Sequence, residues 1–313
     1  MLFQRLACRS IWISAVLSSL LSLFLQASPE TNVAAIFELG MGARPLAMGG
    51  AFVGLADDTN VLSYNSAGLA WLKDLSVLSS YETRPAMASY GHISSAFSNF
   101  GFGIHYFDFG DVPETDESGN VVGTFSYRNY GFVAAAGVTA AELPLLNQIP
   151  VLQNLAVGVK AKFLKVSTLA PGSGSGFALD MPSLLWSGSL TRWGNLVTHY
   201  GFGISVENLL SRAIRYGSGH QENWERKAVI GSSLVFVDQV TLAMDVASDN
   251  CACFGIEWTP TPVLSLRGGL RQEGTWIWSL GLGMEFRNFT LDYAIVIHPH
   301  LSNQHRGSLT VFW

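Results

Sequence analysis

The stretch Trp276-Ile277-Trp278-Ser279-Leu280-Gly281-Leu282-Gly283-Met284-Glu285-Phe286 divides into two faces. One carries Trp276, Trp278, Leu280, Leu282, Met284 and Phe286; the other carries Ile277, Ser279, Gly281, Gly283 and Glu285. Successive side chains of a strand point to opposite sides of the sheet. This strand is therefore large and apolar on one side and almost without bulk on the other. Arg287-Asn288 reads as a tight turn, after which Phe289, Leu291, Tyr293, Ile295 and Ile297 oppose Thr290, Asp292, Ala294, Val296 and His298.

The division continues upstream. Leu264, Leu266 and Leu270 oppose Ser265, Arg267 and Arg271, and Ala252, Phe254, Ile256 and Trp258 oppose Cys251, Cys253, Gly255 and Glu257. Val240, Leu242, Met244 and Val246 oppose Thr241, Ala243, Asp245 and Ala247. Two-sided strands joined by turns as short as Asp238-Gln239 predict an antiparallel meander. Fainter versions place Phe202, Ile204 and Val206 against Gly203, Ser205 and Glu207, and Leu155, Val157, Val159 and Phe163 against Gly158, Lys160 and Lys162. Phe100, Phe102, Ile104 and Tyr106 likewise oppose Gly101, Gly103 and His105. Over 228–237 and 177–190 the alternation blurs and assigns no faces. A secreted β-sandwich also alternates, but its solvent face is charged; here the second face is mainly Gly, Ala and Ser.

Composition selects the environment. Of 313 residues, 49% are hydrophobic and only 13% charged, with 32 Gly. Soluble domains carry about a quarter charged residues, so an ordinary cytosolic enzyme is a poor fit. A helical membrane protein needs runs of about 20 apolar residues, and only Ile11 to Leu25 comes near. That run, preceded by Arg5 and Arg9 and followed by Gln26-Ala27-Ser28, reads as a signal peptide over 1–27. Its removal takes two arginines and no acid, moving the net charge from −5 to −7. A chain of that sign without a basic run does not suit nucleic acid. An exported, apolar chain without spanning helices satisfies its backbone in lipid by closing a sheet into a barrel.

Links of uneven length test the barrel. The short ones at 287–288, 259–262 and 238–239 fall on one side, and the longer ones at 298–305, 210–223 and 109–123 on the other, as in barrels with short periplasmic turns and long outer loops. The links 249–250 and 273–274 are short outer hairpins, and 141–154 is a long inner link. Fourteen strands fit: residues 73–313 allow about 17 residues per strand and link, room enough for strands of about 9–11. The chain ends Ser308-Leu309-Thr310-Val311-Phe312-Trp313, with Leu309, Val311 and Trp313 on one face.

Residues 28–72 do not alternate. They contain Gly42-Ala43-Arg44-Pro45-Leu46-Ala47-Met48-Gly49-Gly50-Ala51-Phe52-Val53-Gly54-Leu55-Ala56-Asp57-Asp58 and then Tyr64-Asn65-Ser66-Ala67-Gly68-Leu69-Ala70. Small side chains let backbone approach backbone, and Pro45 and Asp57-Asp58-Thr59-Asn60 punctuate the segment. Such a piece suits a plug threading a narrow lumen; the plainer alternative is a periplasmic arm.

The same motif resembles the N-terminal signature of the PorV/PorQ-type branch of FadL/TodX-like outer-membrane proteins, a glycine-rich GARPxAMGxAFVALADD run followed by a YxNPAGLA element. Residues that carry it are Gly42, Arg44, Pro45, Met48, Gly49, Phe52, Asp57, Asp58, Asn65, Ala67 and Gly68. Further echoes are Phe177-Ala178-Leu179-Asp180, Gly203-Ile204-Ser205-Val206-Glu207-Asn208, Leu266-Arg267-Gly268-Gly269, Leu291-Asp292-Tyr293-Ala294 and His305-Arg306-Gly307-Ser308-Leu309. Where the resembled element has Pro this chain has Ser66, which restores an N–H and frees φ.

The resemblance implies a fourteen-stranded bacterial outer-membrane barrel with an N-terminal hatch. It further implies passive uptake of long-chain fatty acids or other small hydrophobic molecules through the lumen and a lateral opening, without cofactor. Some PorV-like members instead hold exported proteins at the surface as partners of a secretion system. Outer-membrane barrels also resemble this chain at its end, where Leu309, Val311 and the aromatic terminal Trp313 match the signal read by the barrel-assembly machinery.

Enzyme chemistry finds little support. His298, His300 and His305 fall on one predicted outer loop, but Pro299 separates the first two and no acid is near. Cys251 and Cys253 share a strand face, a spacing read as a packed or lumen-lining thiol pair. Nothing resembles a Gly-x-Ser-x-Gly elbow. The lumen inventory is Glu207, Asp245, Glu257, Arg267, Arg271, Glu285 and Asp292, whose mixed signs predict a pairing network stiffening the wall. Arg267 and Arg271 are the cations on this inventory available to a cargo carboxylate.

Overall fold

The computed structural model describes residues 33–84, 88–144, 146–169, 172–189 and 196–313. The predicted signal peptide lies outside the described residues. No helix among them is long and apolar enough to cross a membrane. The strands are β1 (Ser76–Thr83), β2 (Ser89–Phe97), β3 (Phe100–Thr115), β4 (Val121–Thr139), β5 (Leu155–Ser167), β6 (Gly174–Ser189), β7 (Val197–Glu207), β8 (Leu210–Tyr216), β9 (Gln221–Glu222), β10 (Lys227–Phe236), β11 (Val240–Ala247), β12 (Ala252–Thr261), β13 (Leu264–Glu273), β14 (Thr275–Phe286), β15 (Phe289–Ile297) and β16 (Gln304–Phe312).

Fourteen of these form a closed antiparallel barrel, each pairing with its neighbours in the chain except that β7 pairs with β10, past the hairpin β8–β9. Closure comes from β1 pairing with β16, from Ser76 opposite Phe312 to Thr83 opposite His305. The faces are inverted relative to a soluble protein. In β14, Trp278 is 59% exposed while its neighbour Ser279 is 3%, because the apolar side chains point away from the barrel. Exposed apolar surface of this extent marks a lipid contact.

The blurred stretches prove to be strands: 228–236 lies in β10, and 177–189 in β6. Their alternation is hidden because small residues such as Ser232 face outward and apolar ones such as Leu185 face in. Two predicted outer loops are corrected. Residues 109–123 are largely the far ends of β3 and β4, whose ladder continues through Asp111 opposite Ser126 to Thr115 opposite Val121, so a two-stranded ribbon prolongs the wall. Residues 210–223 form β8 and β9, with β8 pairing along β6 at Gly174–Leu179 beyond the stretch where β6 pairs with β7. In both cases neighbouring backbone N–H and C=O groups find ladder partners, which an outer loop without ladder partners leaves to solvent. The third correction concerns His305, which lies in β16 and bonds the Tyr293 hydroxyl through Nδ1 at 2.6 Å, not on the loop with His298 and His300.

Candidate functional site

Residues 33–72 pack against the inner face of this wall, and the polar residues there answer their irregular backbone. Among segment groups without a ladder, the N–H of Phe52 and of Val53 donate to Asp245 Oδ2 at 2.7 and 2.8 Å. The Ser279 hydroxyl accepts from Gly49 N–H at 3.0 Å and donates to the Ala47 carbonyl at 3.1 Å. Ser233 donates to the Gly54 carbonyl at 2.9 Å, and Ala43 N–H donates to Ser308 Oγ at 3.0 Å. Non-helical backbone at membrane depth is tolerated only where protein satisfies it in this way.

Asn65 supplies three further bonds. Its Nδ2 donates to the Val53 carbonyl and to the Leu184 carbonyl of β6, each at 2.9 Å, while Oδ1 accepts from Ala67 N–H at 3.2 Å and caps the short helix Ser66–Trp71. The segment is thus pinned at Asn65 even with Ser66 in place of proline. Ala67 is buried, and Gly68 closes beneath Val61 and Ala56, where a side chain has no room. Met48 and Phe52 are also buried, with Phe52 under the Tyr64 ring at 5.4 Å.

Charge gathers in three places. At the short-turn end, Arg44 binds Asp57 at 2.6 Å, Asp58 at 2.8 Å and Glu257 at 2.9 Å. Glu257 is shared with Arg267, which holds it at 2.5 Å and Asp292 at 2.5 Å. Glu285 is exposed beside this network, lining the same mouth. In the middle of the wall, Lys160 and Lys162 each hold Asp180 at 3.0 Å; Lys160 also donates to the Ser63 carbonyl, and Lys162 lies over the rings of Phe37 and Trp224. Glu207 reaches Lys162 at 4.0 Å. At the opposite end, Arg306 pairs with Glu82 and donates to the carbonyls of Leu39, Gly40 and Gly42. Tyr90 donates to the Gly40 carbonyl at 2.7 Å.

The inventory read from the sequence is therefore distributed, not gathered at one point. Asp245 holds backbone; Glu257, Arg267 and Asp292 form one network; Glu207 and Arg271 line a separate cavity. Arg267 has both its carboxylates at 2.5 Å and is 7% exposed, so the expectation that it serves a cargo carboxylate is withdrawn. Arg271 differs: its Nε makes no hydrogen bond and approaches the Glu273 carboxylate at 3.8 Å. Sequence reading passed over Glu82, Arg306 and Asp180 as lumen charges. Their inward phase was available from Ser308 and Thr310 in the case of Arg306, but their partners were not.

The cavity between segment and wall has a volume of about 150 Å³ and is lined by Phe37, Leu39, Leu46, Val53, Val229 and Ala247 together with Tyr64, Arg84, Asp245, Arg271, Cys251 and Cys253. In the wall, β6 interrupts its pairing: Leu179 is the last residue opposite β8, Ser183 the first opposite β7, and the register with β5 shifts at the same place. Asp180 spans the break, accepting from Asn208 N–H at 2.8 Å.

An Asp245→Ala variant tests the anchoring of the segment. Losing hydrogen bonds from a charged acceptor, worth about 1.5–3 kcal/mol each, is expected to leave the barrel folded and the 43–58 stretch open to protease. Resistance equal to the parent's refutes the anchor.

No protein-family model and no curated protein matches the chain. Solved structures do. The Pseudomonas putida toluene transporter TodX is 12% identical, with a TM-score of 0.58 over 87% of this chain and 98% of that one. The CymD monoaromatic hydrocarbon channel is also 12% identical, with a TM-score of 0.57 over 88% and 98%. A Pseudomonas aeruginosa FadL homologue is 10% identical, with a TM-score of 0.51 over 88% and 98%. At these identities the likeness is one of fold: FadL/TodX-type barrels.

Proposed function

We propose that this chain is a bacterial outer-membrane channel of the FadL/TodX kind, admitting small hydrophobic molecules passively, with residues 28–72 as its hatch. The observation that carries the reading is the cavity of about 150 Å³ between the segment and the wall, apolar along one side and bounded on the other by the cations Arg84, Lys227 and Arg271 and the carboxylates Glu38, Glu207 and Asp245. A void of about that volume accommodates a single benzene ring. Single-ring hydrocarbons therefore fit the resting channel, whereas a long-chain fatty acid enters only as the hatch moves. Cargo partitions into the cavity because burial of apolar surface is favourable, and leaves beside the hatch at the interruption in β6, where Asn65 and Asp180 bridge the wall. No covalent step is required. Leu309 and Trp313, exposed, with the half-buried Val311 between them at the end of β16, are the surface offered to the assembly machinery and then to outer-membrane lipid.

The test is uptake of radiolabelled toluene and oleate by cells expressing the barrel or lacking it. Several-fold faster accumulation of at least one is expected; equal rates for both sink the reading. Within that assay Arg271→Ala is expected to slow oleate and spare toluene, since only the former carries a carboxylate. Unchanged oleate uptake removes Arg271 from the cargo path.

A second reading, the PorV-like partner of a secretion system, draws on the β3–β4 ribbon. It carries Val121 and Val122 exposed on a two-stranded arm beyond the wall. It expects exported protein at the ribbon and no movement of cargo through the lumen.

A further inference from the structure

Cys251 directly precedes β12 and Cys253 lies within it, so the two thiols share the lumen face. Both are buried and free, with their sulfurs 3.8 Å apart. Both border the cavity of about 150 Å³. In the ladder Cys253 stands between Asp245 on β11 and Arg271 on β13. Above it passes Gly50, at φ +91°, where a Cβ would sit 3.5 Å from the Cys253 sulfur; a glycine there leaves the space over the thiols clear.

We propose that Cys251 and Cys253 form a two-thiolate site for a thiophilic divalent d¹⁰ cation, of the zinc or cadmium type, inside the lumen. The separation of the sulfurs matches such an ion. With metal–sulfur bonds of about 2.3 Å, sulfurs 3.8 Å apart subtend about 111° at the metal, the tetrahedral angle to within about two degrees. A linear two-coordinate ion needs them farther apart by nearly an ångström. Binding is not a redox step: each S–H gives its proton to solvent, two metal–sulfur bonds form, and the bis-thiolate and the dication cancel in charge. Among the described residues no set of three His, Cys, Asp or Glu side chains surrounds a single point, so the two thiols would be the protein's whole contribution to the ion and solvent in the cavity would complete its shell. That makes an open site rather than a structural one. The site does not depend on the transport reading, because metal binding is measured without cargo.

The experiment is a titration of the full chain, folded in detergent micelles and freshly reduced, with cadmium ions, following the thiolate-to-cadmium charge-transfer absorption. One equivalent per barrel is expected. The band is lost in Cys251→Ser and in Cys253→Ser. Should the serine variants misfold, X-ray absorption of the cadmium-loaded parent decides alone: two sulfurs and two lighter atoms in the first shell are expected. Absence of a saturable one-equivalent band, its survival in either serine variant, or a shell with no sulfur or four sulfurs overturns the proposal.

Discussion

Arg306→Ala is expected to lower the unfolding free energy of the barrel by about 3–5 kcal/mol, the range for removing one partner of a buried ion pair. Arg306 and Glu82 are both fully buried, and they face each other across β16 and β1, the pair of strands that closes the barrel. The guanidinium also donates to the carbonyls of Leu39 at 2.8 Å, Gly42 at 3.2 Å and Gly40 at 3.3 Å, and it lies 5.2 Å from the centre of the Tyr90 ring. Alanine leaves the buried Glu82 carboxylate to the partly exposed Arg84, 2.6 Å away, and takes a donor from three carbonyls of the N-terminal segment. Seam and segment thus weaken together. Urea unfolding in micelles, followed by tryptophan fluorescence, measures the loss. The double variant Glu82→Gln/Arg306→Met removes both buried charges and is expected to recover most of it, because the dominant cost is a buried carboxylate without its buried partner, whereas Arg84, 22% exposed, keeps its charge in reach of water. A single-variant loss below about 1 kcal/mol contradicts the assignment.

Gly49→Val is expected to open the lumen while leaving the barrel folded. Gly49 has φ +68°, and a Cβ there falls 2.7 Å from the Leu270 nitrogen, 2.8 Å from its oxygen and 2.9 Å from the Phe254 oxygen. Those atoms belong to opposed residues of the β12–β13 ladder and have no freedom to retreat. The left-handed conformation alone costs an L-residue about 1–2 kcal/mol, and the clash adds to it. Relief comes only by lifting the segment from the wall, which breaks the bonds of Gly49 to Ser279 and of Phe52 and Val53 to Asp245. Planar-bilayer recordings are expected to show a conductance that the parent lacks, with the heat-dependent electrophoretic shift of the barrel retained. Gly50→Ala separates the causes: Gly50 is also left-handed, but its Cβ position is 3.5 Å from the Cys253 sulfur and clear of backbone. Gly49→Val remaining closed disproves the close approach as the seal.

The alternation from 240 to 297 was legible because it is local. Each strand announces its two faces through its own residues, and a wall between lipid and lumen demands the sharpest contrast. Where the contrast softens, as at Ser232 facing outward or Leu185 facing inward, the strand remained but its faces could not be read. The β3–β4 ribbon and the β8–β9 hairpin read as loops because their pairing partners lie on other strands. The segment around Gly49 was recognisable by its small residues and its motif, though not by where it would lie.

Charge shows the division most clearly. That Arg267 and Arg271 both point into the lumen follows from their sharing a strand face four residues apart. Which of them is locked does not follow, since Arg267 meets Glu257 ten positions back and Asp292 twenty-five ahead, while Arg271 meets neither and only approaches Glu273 at 3.8 Å. Arg306 finds its acceptors at residues 39–42, across more than 260 positions. By itself the sequence determined a two-faced, closed, membrane-facing sheet of fourteen strands, because side-chain alternation and link length are properties of neighbouring residues. Only the tertiary structure decided which inward charges are paired, where the wall is interrupted and what space the segment leaves, because those depend on the register at which distant strands meet.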